Sequence, residues 1–221
     1  TEEWQFLQNQ MICDLNEGYA IYRPRYILPD YNVYIKKGCE FLELPAPKNL
    51  DEALDGLLIL YSHVPSITTF PVYIGRLDML LDPFITDEKQ DYIKIKRFLN
   101  HVDKTVPDSF CHANIGPYDT KAGRLILKAV IELEAPTPNM TIRYDKSKTS
   151  REFAELAAKA CLLVSKPSFA NDAYYISDLG EQYGIASCYN ALPECGGAYT
   201  LTRLRLGTIA RACKTVDEMV N

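Results

Sequence analysis

Helical stretches take turns with short β-branched and aromatic ones along most of this 221-residue chain. A parallel α/β sheet is the architecture that such an order supports. Asp51 begins a helical stretch through Leu60, and Ser66 through Gly75 reads as a strand, being rich in β-branched and aromatic residues. Asp87 through Val102 carries a charged helical pattern, and Asp119 through Glu134 a further helix with Leu125, Leu127, Val130, Ile131 and Leu133 on its apolar face. Met140 to Tyr144 alternates as a short strand does. Ser150 is a good N-cap for a helix from Arg151 to Val164, with Glu152 and Glu155 in its early turns. Lys166-Pro167-Ser168 breaks that helix, Tyr174 and Tyr175 read as packing residues, and Leu204 through Val220 reads as a closing helix.

Residues 1–50 are expected to form a leading segment, and residues 51–221 an α/β core. In the leading segment Trp4, Phe6, Leu7, Met11, Ile12 and Leu15 recur at helical spacing up to Gly18, and residues 22–31 form a proline-interrupted connector. One stretch of the core departs from the alternation. Residues 183–197 carry an apolar run, Ile185-Ala186, to Cys188, then a proline and two glycines that turn the chain back. Strand-like residues resume at Ala198. This reads as strand, loop, strand with Cys188 near the tip. A thiol so held can reach into a cavity, and a buried, inert cysteine has the same residue pattern.

Composition narrows the function. The formal net charge of −5, with no basic cluster, argues against nucleic acid as a partner. No apolar run approaches the ~18–20 residues a membrane span needs. The seven cysteines are scattered and form no CxxC pair, so no zinc site has spacing support, and free thiols of a cytoplasmic protein are expected.

Five stretches, in order, resemble the glycyl radical enzyme superfamily. Residues 75–84, Gly-Arg-Leu-Asp-Met-Leu-Leu-Asp-Pro-Phe, are similar to its "GRLDQYLYPF" segment. Ala113-Asn114-Ile115-Gly116 resembles a shortened "itiGG" region, and Pro138 to Arg143 the "PNLSVR" strand. Pro167 to Ile176 is similar to "PSLFNDEVVI", and Tyr183 to Cys188 to "YGIVGC", whose cysteine carries the family's thiyl radical. The residues around Ala186 to Pro193 and Gly196 to Leu201 look closest to the YjjI branch.

The resemblance implies a partial ten-stranded α/β barrel, with the cysteine on a central finger loop. It implies Cys188 as the catalytic residue, abstracting a hydrogen atom from a small organic substrate with elimination or bond cleavage to follow. It also implies a formate acetyltransferase-like, oxygen-sensitive enzyme of anaerobic metabolism, homodimeric when complete and activated by a radical-SAM partner. No cofactor is expected on this chain: the glycyl radical belongs to a C-terminal "RVxGY"-like segment that these residues do not contain, so they are expected to be a piece of a longer polypeptide, inactive alone.

Hydrogen-atom transfer wants a protonated, dry thiol rather than a thiolate, and no Lys, Arg or His occurs in the ten residues before Cys188. Two departures bear on the reaction. The dehydratase branch has a glutamate two residues after its cysteine, where this chain has Asn190, and the paired cysteines of the formate-lyase branch are replaced by Cys188-Tyr189; Tyr189 and Asn190 are expected to line the substrate pocket. Glu194 reads as a substitute base or as a structural loop residue, and Cys195 as a second hydrogen donor or likewise structural. His112 reads as a pocket residue or a packed one. Arg76 and Asp78 are expected to fix backbone or pair with each other, Asn139 belongs to the strand motif, and Asn171 and Asp172 are expected to hold the loop beneath the site. Two alternatives stay open: an anaerobic ribonucleotide reductase-like enzyme using Cys195 as an extra thiol, and a non-catalytic barrel subunit without the radical glycine.

Overall fold

The computed structural model describes residues 5, 9, 12–14, 26–68, 72–105, 111–135, 137–186, 189–198 and 202–220. In chain order the first elements are β1 (Ile12–Asp14), β2 (Tyr26–Ile27), α1 (Asn32–Lys37), α2 (Leu50–Ile67) and β3 (Tyr73–Arg76). They are followed by α3 (Leu77–Leu81), α4 (Glu88–Thr105), β4 (His112–Ile115), α5 (Lys121–Leu133) and β5 (Asn139–Tyr144). Next come α6 (Arg151–Val164), β6 (Ser168–Asn171), α7 (Asp172–Leu179), β7 (Tyr183–Ala186) and β8 (Asn190–Pro193). The last are β9 (Gly197–Ala198), β10 (Thr202–Leu204), α8 (Leu206–Ala212) and α9 (Val216–Val220).

Four strands form one parallel sheet in the order β3-β4-β5-β6, the pattern that the helix–strand alternation requires. The crossing helices start where the sequence supplies caps. Asn49 accepts the Glu52 N–H at 2.9 Å while the Glu52 carboxylate accepts the Lys48 N–H at 2.8 Å, the reciprocal logic of a capping box. Thr120 accepts from Gly123 at 3.0 Å and Ser150 from Phe153 at 3.1 Å. Because side chains alternate across a strand, the two faces of the sheet differ. Ile74, Ala113, Ile115, Met140 and Ile142 join Leu99, Ile126, Ala129, Phe153 and Ala157 in the main apolar core. The opposite face carries Tyr73, His112, Asn114, Thr141 and Arg143, and it too is buried.

The covering of that polar face is an antiparallel hairpin, β7–β8, with Ala186 opposite Asn190 and Tyr183 opposite Pro193. Beyond it, β9 pairs with β2 and β10 with β1, both antiparallel.

Several expectations are corrected. Residues 66 and 67 end α2 instead of opening a strand, and β3 is confined to Tyr73–Arg76. Tyr26–Ile27 in the expected connector and Ile12–Asp14 in the expected first helix are strands; the rest of that helix, apart from residues 5 and 9, lies outside the described residues. The closing helix is two helices preceded by β10. The hairpin returns at Asn190, well before Ala198. Leu28, Tyr31 and Tyr34, on the leading side of residue 50, belong to the same apolar core as the sheet.

Candidate functional site

Two side chains of the sheet strap the hairpin to the polar face. Asn114 acts as a piece of β-ladder: its Oδ1 accepts the Ile185 N–H at 2.7 Å and its Nδ2 donates to the Ile185 carbonyl at 2.8 Å. Arg143 holds the hairpin's base. Its Nη1 donates to the Tyr183 carbonyl and its Nη2 to the Glu181 carbonyl, each at 3.2 Å. Its Nε donates to Asp172 at 2.7 Å, and its guanidinium lies 3.9 Å from the centre of the Tyr183 ring. The Tyr183 hydroxyl donates to the same Asp172 oxygen at 2.8 Å. Burial is the main cause pushing the Tyr183 phenol up, partly offset by Arg143.

The strand β7 therefore runs antiparallel to the sheet strands, from Arg143 near the end of β5 toward His112 at the start of β4. At that far end the Tyr189 ring meets His112 edge-on, centroids 5.3 Å apart. Tyr189 adopts φ 64° and brings the chain into β8. Burial holds His112 down at about 4, so its imidazole is neutral near pH 7, and its Nδ1 has no hydrogen-bond partner among the described residues. Thr141, opposite Asn114 in β5, also has a buried hydroxyl without a partner among them.

The close fit of β7 depends on Gly184, where an added Cβ would stand 2.5 Å from both Cζ and the hydroxyl oxygen of Tyr73. That hydroxyl donates to Glu194 at 3.2 Å. Burial raises the Glu194 carboxyl, with the Tyr73 hydrogen bond and the charge of Arg76 opposing.

The predicted site residues thus divide between the two ends of the hairpin. His112, Tyr189 and Asn190, which is exposed, gather at one end. Glu194 and Cys195 lie at the other, beyond the Tyr183–Pro193 pair. Cys195 is exposed, with φ 63° and its N–H donating to the Leu28 carbonyl at 2.7 Å. Cys188 lies outside the described residues; it belongs to the connection between Ala186 and Asn190.

Asp78 is fully buried and accepts the Gly116 N–H at 2.8 Å and the Met79 N–H at 2.9 Å, fixing the turn that leads into α5. Burial raises it to about 6. Arg76 sits among Asp78, Glu194 and Tyr73, whose titration its charge influences. Asn139 stands opposite His112 in the sheet, and Asn171 caps α7 by accepting from Tyr174 at 3.2 Å. Asn114 and Arg143 lie within the matched motifs, but nothing in the sequence assigns them a role. Their partners lie 71 and 40 residues further along, and no local pattern announces such pairs. Among the described residues no group of three or more His, Cys, Asp or Glu could hold a metal ion, and no helix is long and apolar enough to cross a membrane.

The parallel half-barrel with a hairpin laid across its polar face is the glycyl radical enzyme fold. The chain matches the crystal structure of the anaerobic ribonucleotide reductase from Thermotoga maritima with a TM-score of 0.66 at 10% identity, over 96% of this chain and 47% of that one. A model of the YjjI-like glycyl radical enzymes matches residues 1–221, and the chain belongs to that family. It is 91% identical over 220 residues to a protein of Haemophilus influenzae Rd, covering 100% of this chain and 43% of that protein. It is 46% identical over 215 residues to Escherichia coli K12 YjjI, covering 96% and 42%. The chain thus spans somewhat over two fifths of the length of the curated relatives it matches.

Proposed function

We propose that this chain is the cysteine-bearing core of a glycyl radical enzyme in which Cys188 takes a hydrogen atom from a small organic substrate. The observation that carries the reading is the hairpin held at Ile185 by Asn114 and at Tyr183 by Arg143, with Cys188 in the connection between its strands. A rigid mount of this kind fixes the distance from thiol to substrate, on which hydrogen transfer depends.

In this reading a glycyl radical on the remainder of the polypeptide supplies the oxidising equivalent. The S–H bond of Cys188 breaks homolytically, the thiyl radical takes hydrogen from a substrate C–H bond, and the product radical recovers that hydrogen at the end. S–H and activated C–H bonds are close in strength, so the transfer runs both ways. A radical-SAM enzyme activates the protein, oxygen destroys it, and it works as a homodimer in the cytoplasm. The remainder of the polypeptide continues the sheet at β6, where Phe169, Leu162 and Leu163 are exposed. Cys195, at the far end of the hairpin, gives the ribonucleotide-type reading with an extra thiol no support.

The test is the full-length polypeptide, treated with its activating enzyme and screened against small organic substrates. Cys188→Ser replaces a weak S–H bond by a strong O–H bond, so it should form the glycyl radical and give no product, while Cys195→Ser should remain active. Turnover surviving in Cys188→Ser would show that another residue carries the radical.

A further inference from the structure

We propose that His112 and Thr141 form a subsite for an uncharged oxygen of the substrate, a hydroxyl or a carbonyl, and that this subsite selects against carboxylates and phosphates. The inference rests on the radical-enzyme reading above and narrows its substrate. Both residues are 1% exposed, yet His112 Nδ1 and Thr141 Oγ1 have no hydrogen-bond partner among the described residues. Buried polar atoms are nearly always partnered, so each exception calls for a bound molecule or another stated cause. These two lie on adjacent strands and on one face. His112 is two residues before Asn114 in β4, and Thr141 is directly opposite Asn114 in β5.

Three of the neighbouring polar groups on that face are engaged. Asn114 is spent on Ile185, Arg143 on Asp172 and two carbonyls, and Tyr73 on Glu194. Arg76 Nε is also without a partner, but its charge sits with Glu194 and Asp78 rather than with His112. The unmet pair instead lies toward the end of the hairpin where Tyr189 meets His112.

The chemistry of the pair sets the ligand class. A buried imidazole kept neutral offers one donor and one acceptor, and a threonine hydroxyl can do either. Both suit a neutral hydroxyl or carbonyl. A carboxylate or phosphate would need a cation; of the two guanidiniums on this face, Arg143 is held by the Asp172 carboxylate and Arg76, opposite Asn114, has its charge beside Glu194 and Asp78.

The experiment uses the full-length polypeptide without activation, so no radical is required. Glycerol and hydroxyacetone serve as uncharged probes and glycerate as their anionic counterpart, with affinities read by calorimetry or saturation-transfer NMR. The uncharged probes should bind at least about tenfold tighter than glycerate. Thr141→Val, and His112→Phe, which keeps a ring against Tyr189, should each weaken them by about tenfold or more. Thr141→Val also removes an unmet hydroxyl, so the unliganded Tm should hold or rise. Three results would overturn the proposal: glycerate binding as well as or better than the uncharged probes, affinities unchanged in the variants, or a lower unliganded Tm for Thr141→Val. Failure of the radical reading shows elsewhere, as turnover in Cys188→Ser, so the two outcomes are distinguishable.

Discussion

Replacing Asn114 by leucine should free the hairpin from the sheet without changing the size of the side chain much. The wild-type amide satisfies both backbone groups of Ile185, at 2.7 and 2.8 Å, and Ile185 is 2% exposed. Leucine leaves that N–H and C=O buried without partners, at about 1–2 kcal/mol each, so docking of the hairpin should weaken by about 2–4 kcal/mol in all. At 1.4 kcal/mol per decade this corresponds to about 30-fold to about 700-fold faster local opening. Hydrogen exchange read by mass spectrometry on the peptide spanning residues 183–193 of the full-length polypeptide measures that opening. The acceleration should be confined to this peptide and its direct contacts, with the peptide of α6 unaffected. Exchange within about threefold of wild type would refute the reasoning, because Asn114 would then not be holding the hairpin.

Arg143→Met should cost about 3–5 kcal/mol, because the buried Asp172 charge loses its buried partner and keeps only the more exposed Lys148 at 3.5 Å; Asp172→Asn together with Arg143→Met should recover part of this in chemical denaturation. Asp78 gives a pH signature: its folded value of about 6 stands above the ordinary 3.8, so between those values the folded state holds a proton that the unfolded chain has released. That group alone makes stability fall as pH rises from about 4 to about 6, by about 3 kcal/mol, and it should vanish in Asp78→Asn. His112 works in the opposite sense, its folded value being depressed from 6.5 to about 4, so stability between pH 6.5 and 4 should fall more steeply on acidification in Asp78→Asn than in wild type. Gly184→Ala should lower Tm by overpacking worth about 1–3 kcal/mol against the Tyr73 ring, and a Tm equal to wild type would show that the ring gives way.

The elements most legible in the sequence are those whose signals are local. Ser150 caps α6, and that helix runs over the residues its pattern predicts, because the cap and the apolar stripe are both within one turn or two of their partners. Ile67 misleads for the opposite reason: a strand-favouring residue type finishes a helix that already includes Pro65, so position in the chain outweighs propensity. The hairpin turn is harder still. Its last connecting residue, Tyr189, takes a left-handed conformation without being glycine or asparagine. The conspicuous Pro193 and Gly196-Gly197 belong to the next turn, at the hairpin's base. The motif resemblance places Cys188 in the connection, but Asn114, Arg143 and Gly184 acquire their roles only through distant partners. The polar side of the sheet is hidden for the same reason, since His112 and Thr141 come from different strands with a helix between them.

The pairing of β2 with β9 also bears on the order of events during synthesis. Tyr26 meets Ala198, and Leu28 exchanges hydrogen bonds with Cys195 and Gly196. Translation delivers β2 ahead of the four parallel strands and its partner only after all four have left the ribosome. The early segment must wait, with its strand edge unfilled, while β3 to β6 assemble behind it. When residues 195–198 arrive, they zip against a waiting template, and the same event draws in the base of the hairpin. The finger is thus set late in the emergence of this chain, onto a sheet whose strands have already been delivered.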